Sequence, residues 1–371
     1  MKTNHTCTIG AAMLLMPFAS AFAQSAWETV DALTPWRGRA IVADPAGDFI
    51  SLAIDNSTSS SGPVSTAVSL SSDTGLTWET VGSIPGYALK LTAAPDGTLY
   101  ASGNRSATVS GHALVWCSLD QGATWTASNP WAGQPAALIS MDLVAGNSGA
   151  VYLCGWVNGT YSGGRWIVRK GQPTPTGLSW TTVDSFVGTQ PNSIAVRPGP
   201  SSQSDYLVVC GQAKSSWTVR RSADGGATWA TVDANPLGTA QGVTVGADGS
   251  IYVIGRNWLV RKSVNGGATW ANVDSVANAQ PAYGPSIKTD LFGRVFAIGW
   301  IGTTTRTWLV RGSGDGGATW ITADSFLPTG YTSAQAVGVA CDALGNVCVV
   351  GDVENGTASD DVAPIRRLAA P

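Results

Sequence analysis

One octapeptide constrains this chain more than any other feature. Ser222 to Trp229 reads SADGGATW, and the pattern S-x-D-x-G-x-T-W returns along the sequence. Ser71 to Trp78 reads SSDTGLTW, Ser118 to Trp125 reads SLDQGATW and Ser313 to Trp320 reads SGDGGATW. Ser263 to Trp270 reads SVNGGATW, with Asn265 in place of the Asp. A sixth copy, ending Gly177-Leu178-Ser179-Trp180, has lost its Asp, and its approach from Lys170 to Thr176 reads as an insertion. The motif is a turn. Asp accepts from nearby backbone N–H groups, and Gly supplies a left-handed position that other residues resist. Ser and Thr hydroxyls tie the limbs together, and Trp covers the turn. A hairpin repeated this often builds a fold rather than an active site. The D-x-G spacing matches neither an EF-hand loop nor a glycine-rich calcium repeat.

Spacing turns the repeat into an architecture. The box tryptophans Trp78, Trp125, Trp180, Trp229, Trp270 and Trp320 lie 47, 55, 49, 41 and 50 residues apart, the length of one four-stranded propeller blade. Upstream, Trp27-Glu28-Thr29-Val30-Asp31 matches the strand after a box, as in Trp229-Ala230-Thr231-Val232-Asp233, but has no box of its own. Downstream, Pro364-Ile365-Arg366-Arg367 matches the strand before a box. The two orphans complete each other. The fold class expected is therefore all-β: a single seven-bladed propeller of four-stranded blades over residues 24–371, its last blade closed by the N-terminal strand. Closure leaves no long exposed edge.

These residues resemble the Asp box, or BNR repeat, of the sialidase superfamily of β-propellers. The resemblance implies a hairpin between the last two strands of each blade, away from any active site. It does not carry an activity with it. Sialidases open with an F/Y-R-I-P motif, which Pro35-Trp36-Arg37-Gly38-Arg39 matches poorly, and they use a Tyr–Glu pair. Of three Glu here, Glu28 and Glu79 fall on outer strands and Glu354 stands alone near the open face. Sialidases have six blades, and related xyloglucanases clasp a cleft between two seven-bladed propellers. Other seven-bladed relatives act in assembly and protein recognition.

Residues 1–23 read as a secretory signal peptide, with Lys2, an apolar run from Ile9 to Phe18 and Ala21-Phe22-Ala23 before Gln24. The expected location is secreted or periplasmic. The apolar run is too short for a membrane span, and no other candidate is present. Composition agrees: 45 Gly, 16 Trp and 12% charged residues suit an exported all-β protein. A net charge of −3 argues against nucleic acid, whose binders carry a basic stripe. No phosphate loop, nucleotide fingerprint or metal cluster implies a cofactor. With Cys7 in the leader, Cys117, Cys154, Cys210, Cys341 and Cys348 remain. Cys341 and Cys348 flank a turn and could bridge one hairpin. Cys154 and Cys210 sit at matching places in neighbouring blades and could bridge too.

Repetition also sieves for function. Arg169, Arg220, Arg261, Arg311 and Arg366 recur before the box, and Asp31, Asp184, Asp233, Asp274 and Asp324 after it, so both sets are scaffold. Trp166, Trp217, Trp258 and Trp308 share one third-strand position. The position after the Gly ending each second strand varies instead: Asp55, Asn104, Trp156, Gln212, Arg256, Trp300 and Asp352. This ring should rim the channel opposite the box turns. Beside it run blade connections carrying Trp36, Arg37, Tyr87, Trp131, Phe186, Tyr283, Phe326 and Tyr331. Such a concave face, with aromatics and converging polar groups, is the default ligand site. Four N-x-[ST] sequons, at Asn56, Asn104, Asn158 and Asn355, share it.

Three functions fit. The first is a binding module for carbohydrate or a cell-surface polymer, with Asp55, Asn104, Trp156, Gln212, Arg256, Trp300, Asp352, Trp36 and Trp131 as ligand contacts. The second is a glycoside hydrolase or lyase using Asp55 together with Asp352 or Glu354. The third is an assembly scaffold for a protein partner.

Overall fold

The computed structural model describes residues 26–370, apart from 34–35, 56–64, 105–112, 133–137, 147–148, 158–163, 176, 277–285 and 357–359. The expected signal peptide, Tyr283 and the sequon asparagines Asn56 and Asn158 lie outside the described residues.

Seven four-stranded antiparallel sheets follow one another around a ring. Blade four is representative: Gln190–Arg197, Tyr206–Ala213, Ser216–Ser222 and Ala230–Asn235, innermost to outermost. The seventh sheet takes Ser333–Cys341, Val347–Glu354 and Ala363–Leu368 from the C-terminal end and Glu28–Leu33 from the N-terminal end. In that sheet Thr29 faces Arg366 and Asp31 faces Ile365, so the ends close the ring as expected.

The middle strands are buried on both faces, because each blade is sandwiched between two others. Leu207 to Gly211 are all buried, as are Ile251 to Gly255. The core is therefore not one mass but a layer between each pair of blades. Ala195, Val208, Trp217 and Val219 of blade four meet Ala240, Val243, Ile251 and Val253 of blade five.

The S-x-D-x-G-x-T-W turns show why each residue is there. Asp224 Oδ1 accepts from Ser222 Oγ (2.7 Å) and the Thr228 amide (2.9 Å), while Thr228 Oγ1 donates to Oδ2. Ser222 Oγ in turn accepts the Gly226 amide (2.9 Å), and Trp229 Nε1 caps the Gly226 carbonyl (3.1 Å). The Asp thus reaches four residues on, further than a simple Asx turn. Gly225 and Gly226 both have positive φ, +65° and +95°. In the fifth copy Asn265 keeps the pattern by donating from Nδ2 to Thr269 Oγ1 (2.8 Å).

Two devices join blades, and both use the recurrent charges. Arg220 pairs bidentately with Asp184 of the preceding blade (2.8 and 2.9 Å), as Arg311 does with Asp274 and Arg366 with Asp324. Arg261 pairs with Asp233 through one nitrogen. The second device reaches forward to the next box turn. Arg221 donates to the Gly266 carbonyl, Lys262 to Gly316 and Arg367 to Thr74. Phe186 and Phe326 belong to this lattice rather than to the open face. Their rings lie 4.2 Å and 4.3 Å from the guanidiniums of Arg220 and Arg366.

The extra residues from Lys170 onward lengthen a hairpin: Arg165–Thr174 and Gly177–Val187 stay paired through Thr174 and Gly177. Two expectations need correction. Trp258 lies in a 3-10 turn, Arg256–Trp258, rather than in the third strand, because blade five joins its second and third strands in three residues. It is still fully buried. The five cysteines are free. Cys341 faces Val347 and Cys348 faces Ala340, one residue out of phase, so neighbouring side chains point to opposite sides of the sheet and cannot bridge. Cys154 and Cys210 sit in adjacent second strands, each wholly buried without a bond between them.

Candidate functional site

The variable ring sits where the second strands end, opposite the box turns. Five of its seven members are accessible. Asp55 is half-buried and faces the half-buried Trp36 across the first two strands of blade one. Asn104 faces Tyr87 at the same register in blade two, both half-buried. Trp156 is half-buried in blade three, between Ile139 and Trp166. Gln212 is half-buried opposite Gln190, and Arg256 is exposed. Blades one to three therefore present an arc of aromatic rings beside a carboxylate and an amide.

Trp131, Trp300 and Asp352 are buried, with relative exposures of 7%, 2% and 4%, so as ligand contacts they are corrected. Trp131 has a packing reason. Trp166, Trp217 and Trp308 each lie against the glycine ending the next blade's second strand, Gly211, Gly255 and Gly351, leaving no room for a Cβ there. Blade two has Ala113 at that third-strand position, opposite Asn104. Trp131, from the following connection, fills the gap and lies against Gly155. Breaking the repeat marked a relocated wedge, not a site. Trp300 faces Trp308 across the sheet, with the Arg306 guanidinium 5.7 Å from its ring centre.

Asp352 belongs to a charged seam between blades seven and one. It is hydrogen-bonded to Glu354, two residues along the same strand. Burial pushes its carboxyl up to about 7, opposed by the charge of Arg39 and reinforced by Glu354. Arg37 of blade one crosses the seam, donating Nε to Asp361 (2.9 Å) and pairing through Nη2 with Glu354 (3.1 Å). Burial opposes the charge of Arg37, but these carboxylates together raise its pKa. Neither Arg37 nor Asp361 was singled out as a charge partner by the sequence. Their sequence separation of 324 residues hides a contact that ring closure creates.

Behind the rim the seven innermost strands enclose a channel of about 340 Å³. Each described inner strand but that of blade six carries a β-bulge near its rim end, for instance between Gly38 and Ala40 and between Ala240 and Gly242. No alternation pattern announced them. Asp142 lines the channel, its Oδ2 accepting from Ser193 Oγ (2.8 Å) and the Ile194 amide (3.1 Å).

No family model matches the chain. A xyloglucanase from Paenibacillus sp. is 30% identical over 233 residues, which are 58% of this chain and 18% of that protein. The chain thus spans less than a fifth of that relative's length. Among solved structures, the Hadza microbial sialidase Hz136 superposes with a TM-score of 0.50 at 14% identity, over 89% of this chain and 65% of that one. YCF48 bound to D1 peptide superposes with a TM-score of 0.59 at 12% identity, over 93% and 97% of the two chains. At these identities the structures speak for the fold.

Proposed function

Starting from a sialidase-superfamily-like seven-bladed β-propeller related in sequence to a xyloglucanase, we propose an exported module that binds polysaccharide on the rim of blades one to three. One observation carries the reading: the aromatic–polar pairs Trp36–Asp55 and Tyr87–Asn104 stand at the same register in adjacent blades, with Trp156 next in line. Flat rings stack on the apolar faces of sugars, while a neighbouring carboxylate or amide takes their hydroxyls. Repetition of the pair at blade spacing suits a polymer with repeating units. The xyloglucanase relative supports carbohydrate as the ligand class.

Binding is preferred to hydrolysis because of the seam. Glycosidase carboxyls stand about 5–5.5 Å apart for retention and about 6.5–9.5 Å for inversion. Of the two candidate partners for Asp55, Asp352 is buried and Glu354 is engaged by Arg37, so neither stands open to a substrate.

The test is a depletion assay of the mature chain on xyloglucan and a panel of other polysaccharides, with the supernatant searched for new oligosaccharides. Retention on one polymer without products is expected, and Trp36→Ala should weaken it about tenfold, as loss of an aromatic anchor does. Products abolished by Asp352→Asn would make the protein an enzyme instead. Neither retention nor products would leave a protein partner as the better reading.

A further inference from the structure

We infer that the central channel is a binding site for a small oxyanion, a sulfate, phosphate or carboxylate group, distinct from the rim surface. Three cations line it: Arg39 from blade one, Lys90 from blade two and Lys288 from blade six. None of the three takes part in an ion pair among the described residues. The chain as a whole is acidic, with a net charge of −3. Many of its other blade cations serve latches or box turns, as Arg220 and Lys262 do, whereas these three carry no such ion pair.

Arg39 also acts on Asp352 of the seam, so Lys90 and Lys288 carry the uncompensated charge, and the carboxylate lining the channel does not neutralise them. Asp142 is held by Ser193 Oγ and the Ile194 amide on Oδ2 and by the Leu143 amide on Oδ1 (3.0 Å). Its lone pairs are largely spent on these donors. Lys90 and Arg39 lie in the rim-ward part of the inner strands, half-buried, with Lys288 further along. Like charges lining one channel with low-dielectric walls focus a positive potential and concentrate anions there. The channel volume, about 340 Å³, admits a polyatomic anion with some of its hydration. Ser286 and Gln241 on the same wall offer further donors.

Titration calorimetry of the mature chain with sodium sulfate and with sodium malonate, against sodium chloride at matched ionic strength, tests this. One saturable site for sulfate or malonate is expected, and whichever binds more tightly tells the inorganic from the carboxylate source. Lys90→Met should weaken it about tenfold or more. Lys288→Met, at an exposed position, provides a second variant should the first fold poorly. Thermal melts separate site binding from general salt exclusion, which also stabilises: the site effect saturates and vanishes in the variants, whereas exclusion grows with concentration and persists in them. Both variants without ligand should melt no lower than the parent, since each removes a repelling charge. Heats indistinguishable from chloride, or sulfate and malonate binding unchanged by both substitutions, would overturn the assignment.

Discussion

Burial raises the folded-state pKa of Asp352 to about 7, against an ordinary value of 3.8. The native chain therefore holds a proton there that the unfolded chain releases between those values. Stability from this group is fully present below pH 4 and is lost as pH rises through about 7. Asp352→Asn mimics the protonated side chain. Its melting temperature should match the parent near pH 4 and exceed it by a few degrees at pH 8. Melts across that range check this, and an equal offset at both ends would refute the titration. The box aspartates behave oppositely. Thr and Ser donors hold Asp73 and Asp120 down at about 2. Their support is present above the ordinary carboxylate range and is lost only as pH falls toward 2. Residue-scale reading of the sequence succeeded where a side chain's role was local and failed where it was not. Asp224, Thr228 and Trp229 serve their own turn, so eight letters suffice. Trp131 and Trp300 broke the repeat and looked free, but each is buried by neighbours that the chain meets only after closing.

At the scale of the element, the box turn offers a sharper test than its removal would. Asn265 satisfies Ser263 and Thr269 without a charge. Asn265→Asp restores the form used by the other copies, in which Thr donates to a carboxylate oxygen, a stronger charge-assisted bond. The position is exposed, so screening limits the gain to about 0.5 kcal/mol. The variant should melt slightly higher at pH 7, and the gain should disappear at pH 2, where the new carboxylate begins to protonate. The strands themselves were legible because hairpin turns such as Gly246-Ala247-Asp248-Gly249 are local. The β-bulges were not. They arise where an inner strand must curve around the channel, and nothing in two-residue alternation marks the extra residue. Blade latches fall between these cases. Arg311 and Asp274 could each be recognised as recurrent scaffold, but their pairing needs two blades side by side. Breaking that pair with Arg311→Ala should cost about 3 kcal/mol, whereas replacing both partners by apolar residues of similar size should cost far less. Chemical denaturation of the two variants decides between a latch and a bystander.

The ring as a whole is not uniformly fastened. Arg–Asp latches join blades three to four, four to five, five to six and six to seven. Blades seven and one share a sheet made from both chain ends, the Arg37 seam and the reach of Arg367 to Thr74. Blade two differs. Gly82 stands in blade one where a latch Asp would be, and Trp116 in blade two where its Arg would be. Toward blade three, Arg169 finds no Asp partner and instead lies 6.0 Å from the ring centre of Trp131, with burial lowering its pKa. Among the described residues, blade two has no ion pair with either neighbour. Apolar layers still hold it, through Ile84, Leu99 and Trp116 on one side and Tyr100, Val115 and Trp131 on the other. Apolar packing tolerates sliding that a bidentate pair forbids, so local opening should begin here. Native-state hydrogen exchange should show the amides of Tyr87–Ala93, Leu99–Asn104 and Ala113–Ser118 exchanging faster than their counterparts in blades four to six. A saturating polysaccharide held by Tyr87 and Trp36 would span the junction of blades one and two and slow that exchange selectively. Uniform protection around the ring would mean that the latches orient the blades without ranking their stability. Slowing spread evenly over all seven blades would place the polymer elsewhere than on this arc.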